Sequence, residues 1–344
     1  MIQIAIHKAT GGFTPHWIDY CNSSGISIKL VNAYDNDIIS QLEDCDAFMW
    51  HHNHANYRDL LFAKQLLASV EATGKIVYPN HKTGWHFDDK VGEKYLFEAL
   101  NIPFAKSYVF YDKNTALDWA KNAEWPKVFK LRGGAGGQNV KLIHSFTEAK
   151  KTINKAFSQG YSAFNRIAYL KDRYSKWRAG KDPFNGVIKG VGRLFIPIKN
   201  IKLHHHQKGY VLFQDYIAGN STDFRVKVVN GNCWAFQRIV RKNDFRASGS
   251  DNLLFDNTQI PIELITIAQL AAQKLGMQSV AFDFVYDKIN NKYLIIEMSF
   301  CFGYDKREGD NGYWDINQVF HPEPFNPFKW MVDGVISQLQ SSNK

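Results

Sequence analysis

The sequence predicts an α/β protein with α+β subdomains, built as two or three domains. Three observations carry this. The chain has 344 residues, 45% of them hydrophobic, enough to bury several small cores. Residues 1–84 alternate short apolar runs with amphipathic stretches, the pattern of a parallel sheet covered by helices. The second half reads instead as hairpins, with turn residues between strands of alternating character.

In the first 84 residues, strands are expected at 2–7, 26–32, 47–51 and 75–78, and helices near 15–22, 35–43 and 57–72. Loops after parallel strands form ligand crevices, so Thr10-Gly11-Gly12 and His51-His52-Asn53-His54 are candidate substrate contacts. A single histidine in such a place more often serves the structure.

Next, Val128-Phe129-Lys130-Leu131 runs into a loop with four glycines in five residues (Gly133, Gly134, Gly136, Gly137), then into a strand at 140–143. Glycines let backbone N–H groups approach phosphate oxygens without a Cβ in the way, and Lys130 would add a point charge. No Gly-Lys-Ser/Thr follows, and the flanks read strand–loop–strand, so neither a Walker A loop nor a dinucleotide fingerprint is present. Alone, such a loop is more often a flexible turn.

A strand at 211–217 (Val-Leu-Phe-Gln-Asp-Tyr-Ile) leads through a polar loop to Asp223-Phe224-Arg225-Val226. The Asn230-Gly231-Asn232 turn then returns the chain as a strand at 233–241 carrying Arg238 and Arg241. Arg246 follows in a polar loop, 243–250.

Two carboxylates stand in the last strand pair: Asp283 in Ala-Phe-Asp-Phe-Val-Tyr and Glu297 in Tyr-Leu-Ile-Ile-Glu-Met-Ser. The hairpin turn at 287–291 brings them together, with Ser299 on the same face as Glu297. Burying two acids among Phe, Val, Ile and Leu is costly unless a cation lies between them, and Mg²⁺ is held by one or two carboxylates plus substrate phosphates. A solvated hairpin with both acids facing outward fits this segment equally well.

The order of lysine strand, glycine loop, Gln-Asp-Tyr-Ile segment, Asp-Phe-Arg strand, arginine strand, Asp-Phe-Arg-Ala-Ser loop, aspartate strand and glutamate strand resembles the ATP-grasp superfamily. Within it, the chain is similar to RimK-type and glutathione-synthase-like carboxylate–amine ligases, over residues 85 to 305. The resemblance implies an ATP-grasp fold preceded by a Rossmann-like domain. The implied divisions are 1–84, then 85–210 with the glycine loop, then 211–344 with the metal site. It implies Lys90 and Lys130 as ATP-contacting lysines and Gly133, Gly134, Gly136 and Gly137 as a phosphate-covering loop. Gln214, Asp215, Tyr216 and Ile217 would form the hinge at the adenine, with Asp223 near the ribose. Asp283, Glu297 and Ser299 would hold the metal, Mg²⁺ with Mn²⁺ as an alternative, and Arg238 and Arg246 would stabilise charge during catalysis. The implied reaction joins a small-molecule carboxylate to an amine through an acyl phosphate, on an acidic sugar or amino-acid-like carboxylate in cell-surface polysaccharide synthesis. A kinase acting on a hydroxyl, a non-catalytic nucleotide binder, and a membrane-surface or nucleic-acid adaptor are the rival readings.

Two features depart from that pattern. Ser299 stands where the family usually has Asn, and residues 155–210 exceed what related ligases have there. Between Asn165 and Tyr210 lie eleven Lys/Arg and two Asp, so this stretch carries as much charge as the whole chain, +9. Interleaved with Tyr169, Tyr174, Trp177 and Phe184, it could grip an anionic acceptor, an anionic membrane surface or nucleic acid, or be a solvated decoration. An anionic acceptor is the expectation; nucleic acid is disfavoured because no recognised binding module accompanies the charge. His204-His205-His206 alternate faces on a strand and cannot all ligate one ion.

No run of about 18 apolar residues occurs, and the first residues lack a signal peptide's basic flank, so no transmembrane segment and a cytoplasmic location are expected. Cys21, Cys45, Cys233 and Cys301 lack metal-ligand spacing and suit free thiols. A homo-oligomer is compatible with the sequence. The aromatic tail, 313–332, is expected to cover the active-site side.

Overall fold

The computed structural model describes residues 2–54, 56–134, 139–162, 169–170, 173–174, 177–178, 183–195, 206–241, 244–247 and 252–342. Three sheets organise the chain. The first is parallel, in the order β2 (Ser27–Val31), β1 (Gln3–His7), β3 (Ala47–Met49), β4 (Ile76–Tyr78). The helix Tyr57–Glu71 packs Ala63, Leu66, Leu67 and Val70 on one face with Phe48 and Trp50. Asn56 caps that helix, its side chain accepting from Arg58 N.

The second sheet is antiparallel, in the order β5 (Ser107–Phe110), β8 (Val211–Asp215), β6 (Lys127–Lys130), β7 (Lys141–Ile143). The helices Lys113–Asn122 and Phe146–Ala156 cover it, burying Ala116, Ala120, Ala149 and Ile153 against Phe129 and Phe213.

The third sheet holds seven strands. Its main path runs β13 (Lys292–Ser299), β12 (Ser279–Asp287), β9 (Thr222–Val229), β10 (Asn232–Ile239), β14 (Tyr313–Trp314), β15 (Phe320–His321), and β11 (Leu253–Leu254) also pairs with β10. Asn230 and Gly231 both take positive φ, 48° and 86°, as the two-residue turn between β9 and β10 demands. The helices Lys90–Ala99 and Ile262–Leu275 bury Phe97, Leu264, Ile265 and Ala268 against Val226, Phe282 and Phe284. Gly276, at φ 66°, ends the second of these in the left-handed conformation.

Because β8 sits between β5 and β6, a division at 210 would cut the second sheet. We place that boundary after Asp215. The tail also differs from expectation. Its helix, Pro327–Ser342, joins the first sheet to the third, placing Phe328, Met331, Val332 and Val335 among Ile4, Trp17, Val229 and Trp234. Its apolar stripe is matched to that seam, and no residue of 313–332 lines the clefts described below. The four cysteines are free thiols, and among the described residues no helix is long and apolar enough to cross a membrane.

Candidate active site

The site starts from one register. Asp283 on β12 lies opposite Glu297 on β13 and, on its other side, opposite Arg225 on β9. Immediately after this pair the ladder slips, so that Phe284 faces Ile295 and Ile296 is the extra residue of a β-bulge. The bulge re-aims the Ile296 carbonyl, which accepts from Lys130 Nζ at 2.9 Å and from Gln214 Nε2 at 3.5 Å. One irregularity in β13 thus ties the third sheet to the lysine of β6 and to the end of β8.

Charges around the pair are compensated in two separate groups. Arg225 grips Asp283 with Nε and Nη2, at 2.7 and 2.8 Å. Arg238 reaches Asp283 at 2.8 Å and holds Asp223 with two bonds, at 2.7 and 2.6 Å. Burial alone would raise the Asp283 pKa, but the two guanidiniums outweigh it and hold the carboxyl well below its usual range. For Asp223 burial prevails over Arg238, and its pKa is raised. Glu297 faces the other group: Lys90 Nζ stands 3.1 Å from its Oε1, and Lys90 with Lys130 overcomes burial to lower its pKa. Glu93, behind them, is pushed up to about 8 by burial despite Lys90, and accepts from Met298 N at 3.3 Å. Burial lowers the Lys130 pKa, with repulsion from Lys90 adding to it.

Two clefts meet at these carboxylates. The first runs between the second and third sheets and is lined by Lys130, Gln214 to Ile217, Asp223, Arg238 and Arg246, together with Asp283 and Glu297. Gln214 is fixed there by donating to Ala105 O and Ser107 Oγ, at 3.3 and 3.2 Å. Val128, Val240, Phe245 and Val285 give this cleft apolar walls. The second opens toward the first sheet: His54, Phe87, Lys90, Glu93, Arg225, Ser299 and Cys301 line it, together with the same Asp283 and Glu297.

The near half of the glycine loop is clasped. Asp88, at φ 56°, accepts from Gly134 N at 2.6 Å; Arg132 Nη2 reaches Asp89 at 2.7 Å; Lys90 N donates to Arg132 O and Lys90 Nζ to Gly134 O, both at 2.9 Å. A Cβ on Gly133 would lie 2.9 Å from Asp88 Oδ2, so a side chain there would press against the clasp. Gly136 and Gly137 lie outside the described residues.

The structure therefore gathers Lys90, Lys130, Gly134, Gln214 to Ile217, Asp223, Arg238, Arg246, Asp283, Glu297 and Ser299 around two joined clefts. Arg246 is held by Asp244, its Nη2 2.6 Å from Oδ2. Of the first-sheet candidates His54 reaches the second cleft. His51 instead stacks on Phe13 with ring centres 3.8 Å apart, and His52 packs against Phe300. His204 and His205 lie outside the described residues, while His206 bonds Gln159 O at 3.0 Å. Sequence reasoning missed Asp88, Glu93 and Arg225 as members of the site. The Asp-Asp-Lys run at 88–90 and the alternation that puts Arg225 level with Asp283 were their only signals.

No protein-family model matches the chain. A stretch of 98 residues is 26% identical to the alpha-aminoadipate–LysW ligase LysX of Saccharolobus solfataricus, covering 27% of this chain and 36% of that enzyme, about a third of its length. Among solved structures, D-alanine–D-alanine ligase from Bacillus anthracis in complex with ATP aligns over 99% of both chains, with a TM-score of 0.59 and 10% identity. The ATP-grasp ligase PsnB with its precursor peptide PsnA2 and AMPPNP aligns over 98% of both, at TM-score 0.53 and 12% identity. A RimK domain ATP-grasp protein from Sphaerobacter thermophilus covers 88% of this chain and 92% of its own, at TM-score 0.51 and 14% identity. The chain has the ATP-grasp fold.

Proposed function

We propose that this protein is an ATP-dependent carboxylate–amine ligase. The observation that carries the reading is that Asp283 and Glu297 are shared by two clefts, one suited to a nucleotide and the other opening away from it. ATP would lie in the first, its adenine between apolar walls at Gln214 to Ile217 and its phosphates toward Lys130, Lys90 and Gly134. The substrates would enter the second. The ligase names of LysX and of D-alanine–D-alanine ligase support the reaction class.

Among the described residues no group of three His, Cys, Asp or Glu side chains could hold an ion. Two carboxylates beside a hydroxyl nevertheless suit Mg²⁺ or Mn²⁺ when phosphate oxygens complete the shell, so Asp283, Glu297 and Ser299 would hold it. Bound there, the ion supplies Lewis-acid polarisation of phosphate oxygens.

In the proposed reaction a substrate carboxylate oxygen attacks the γ-phosphorus, ADP departs, and an acyl phosphate forms. An amine then attacks the acyl carbon, phosphate leaves, the amine loses a proton, and an amide remains. Lys130, Lys90 and Arg225 present fixed cations where negative charge gathers, which is the main catalytic need of such a transfer. Arg225, on the wall of the second cleft, would orient an acidic substrate. We assign that substrate to the amino-acid-like or acidic-sugar class, with cell-surface polysaccharide as the setting.

Incubation with ATP, Mg²⁺ and hydroxylamine across a panel of carboxylates tests this. Trapped hydroxamate with ADP supports a ligase. ADP with a phosphate ester would make the protein a kinase, and nucleotide binding without ADP release on any substrate would make it a binding module.

A further inference from the structure

None of the described residues from 169 to 195, in the long segment before β8, lines either cleft, and they share an arrangement of their own. The helix Asn185–Phe195 is amphipathic with its apolar stripe turned outward. Its inner side is Gly186 and Gly190, both buried; a Cβ on Gly190 would lie 2.9 Å from Leu170 Cδ1, so the glycine is what allows that close approach. Phe184, Ile188 and Val191, at helical spacing, are 53%, 57% and 45% exposed. Trp177 extends the stripe, its ring 5.2 Å from that of Phe184 and 5.7 Å from that of Tyr174, and both Trp177 and Tyr174 are themselves exposed. Arg178 and Lys189, next in sequence to Trp177 and Ile188, are exposed as well.

A contiguous aromatic and aliphatic face left to water marks an interaction surface. The sequence from 165 to 210, to which these residues belong, carries a net charge of +9. Two forces hold an amphipathic helix on a lipid surface: burial of its apolar stripe at headgroup depth and attraction of its cations to anionic lipid. Both are present here, with Trp and Tyr, which favour that depth. Nucleic acid would use the charge but has no need of Ile188 and Val191. A small anionic acceptor would need residues that line a cleft, and Tyr174, Trp177, Phe184, Ile188 and Val191 line neither.

We propose that this face docks the protein on an anionic lipid bilayer. The test is co-sedimentation of the full chain with phosphatidylcholine vesicles and with vesicles enriched in phosphatidylserine. The protein is expected to bind the second and to be released by added salt. Ile188→Gln with Val191→Gln, and separately Arg178→Gln with Lys189→Gln, should each weaken binding by about tenfold or more, with melting temperature unchanged. Equal binding to both vesicle types, or to neither, would overturn the proposal. So would a dimer that dissociates in the Ile188/Val191 variant, which would assign the face to a second copy. Charge-dependent binding of polyglutamate by a protein that ignores vesicles would likewise overturn it, in favour of an acidic polypeptide.

Discussion

Asp283 and Glu297 are direct partners across β12 and β13, yet each answers to a different set of cations: Asp283 to Arg225 and Arg238, Glu297 to Lys90 and Lys130. Two acids in register would repel. Separate compensation allows both to stay ionised side by side, and it leaves Glu297, the more exposed of the two, facing both clefts.

Glu297→Gln keeps the shape of that side chain and removes its charge. ADP formation should fall by about 100-fold or more, while circular dichroism and melting temperature hold. Normal turnover in Mg²⁺ would remove Glu297 from the ligand set. Ser299→Asn, at the half-buried end of β13, should be tolerated; a folded but inactive variant would give Ser299 a role of its own.

Lys130→Met should weaken ATP binding by about tenfold or more without loss of stability, because it removes a buried cation that donates to the Ile296 carbonyl. Differential scanning fluorimetry with and without ATP reads both effects. The nucleotide-induced rise in melting temperature should shrink, and an undiminished rise would count against the placement of ATP.

Arg238 is buried between two carboxylates, so Arg238→Met should cost about 3–5 kcal/mol in denaturant unfolding. Adding Asp223→Leu should recover part of that, with a coupling of at least about 1 kcal/mol. Strictly additive losses would mean the pair does not act as a unit.

Buried histidines set an acid limit, His7 among them, its pKa also lowered by burial. Burial lowers the pKa of His51 and His52 to about 3 and of His86 to about 4, from an ordinary 6.5. Below 6.5 the unfolded chain takes up protons that the folded chain refuses. Stability is therefore fully present above about pH 6.5 and is lost as pH falls toward 4, with a slope near 1.4 kcal/mol per pH unit for each histidine. Urea titrations between pH 7 and 4.5 measure the slope, and His86→Phe should reduce it by about 1.4 kcal/mol per pH unit. An unchanged slope would show that His86 is charged in the folded state.

Much of this was legible in the sequence because the governing signals are local. Alternation located β9, β10, β12 and β13, the Asn230-Gly231 pair located a turn, and the hairpin at 287–291 paired Asp283 with Glu297. The bulge at Ile296 was not legible: nothing in Leu-Ile-Ile-Glu distinguishes a regular ladder from one with an extra residue. Nor was the partner of each cation, since Arg225, Lys90 and Asp88 meet the site from segments up to about 200 residues apart, and strand order decides which of them arrive. The outward stripe at Phe184, Ile188 and Val191 was not legible either, because composition showed only a basic, aromatic-interleaved segment. Its exposure follows from Gly190 taking the inward side.

Lys90 holds Gly134 O and Glu297 with a single ammonium. By thermodynamic reciprocity, any cation that draws Glu297 away from Lys90 alters that ammonium's grip on the glycine loop, and any ligand that moves the loop alters the affinity of Glu297 for a cation, by the same factor. Nucleotide and metal would then bind with an interaction free energy set at one side chain. Charge-preserving Lys90→Arg should change that cooperativity more than either affinity alone.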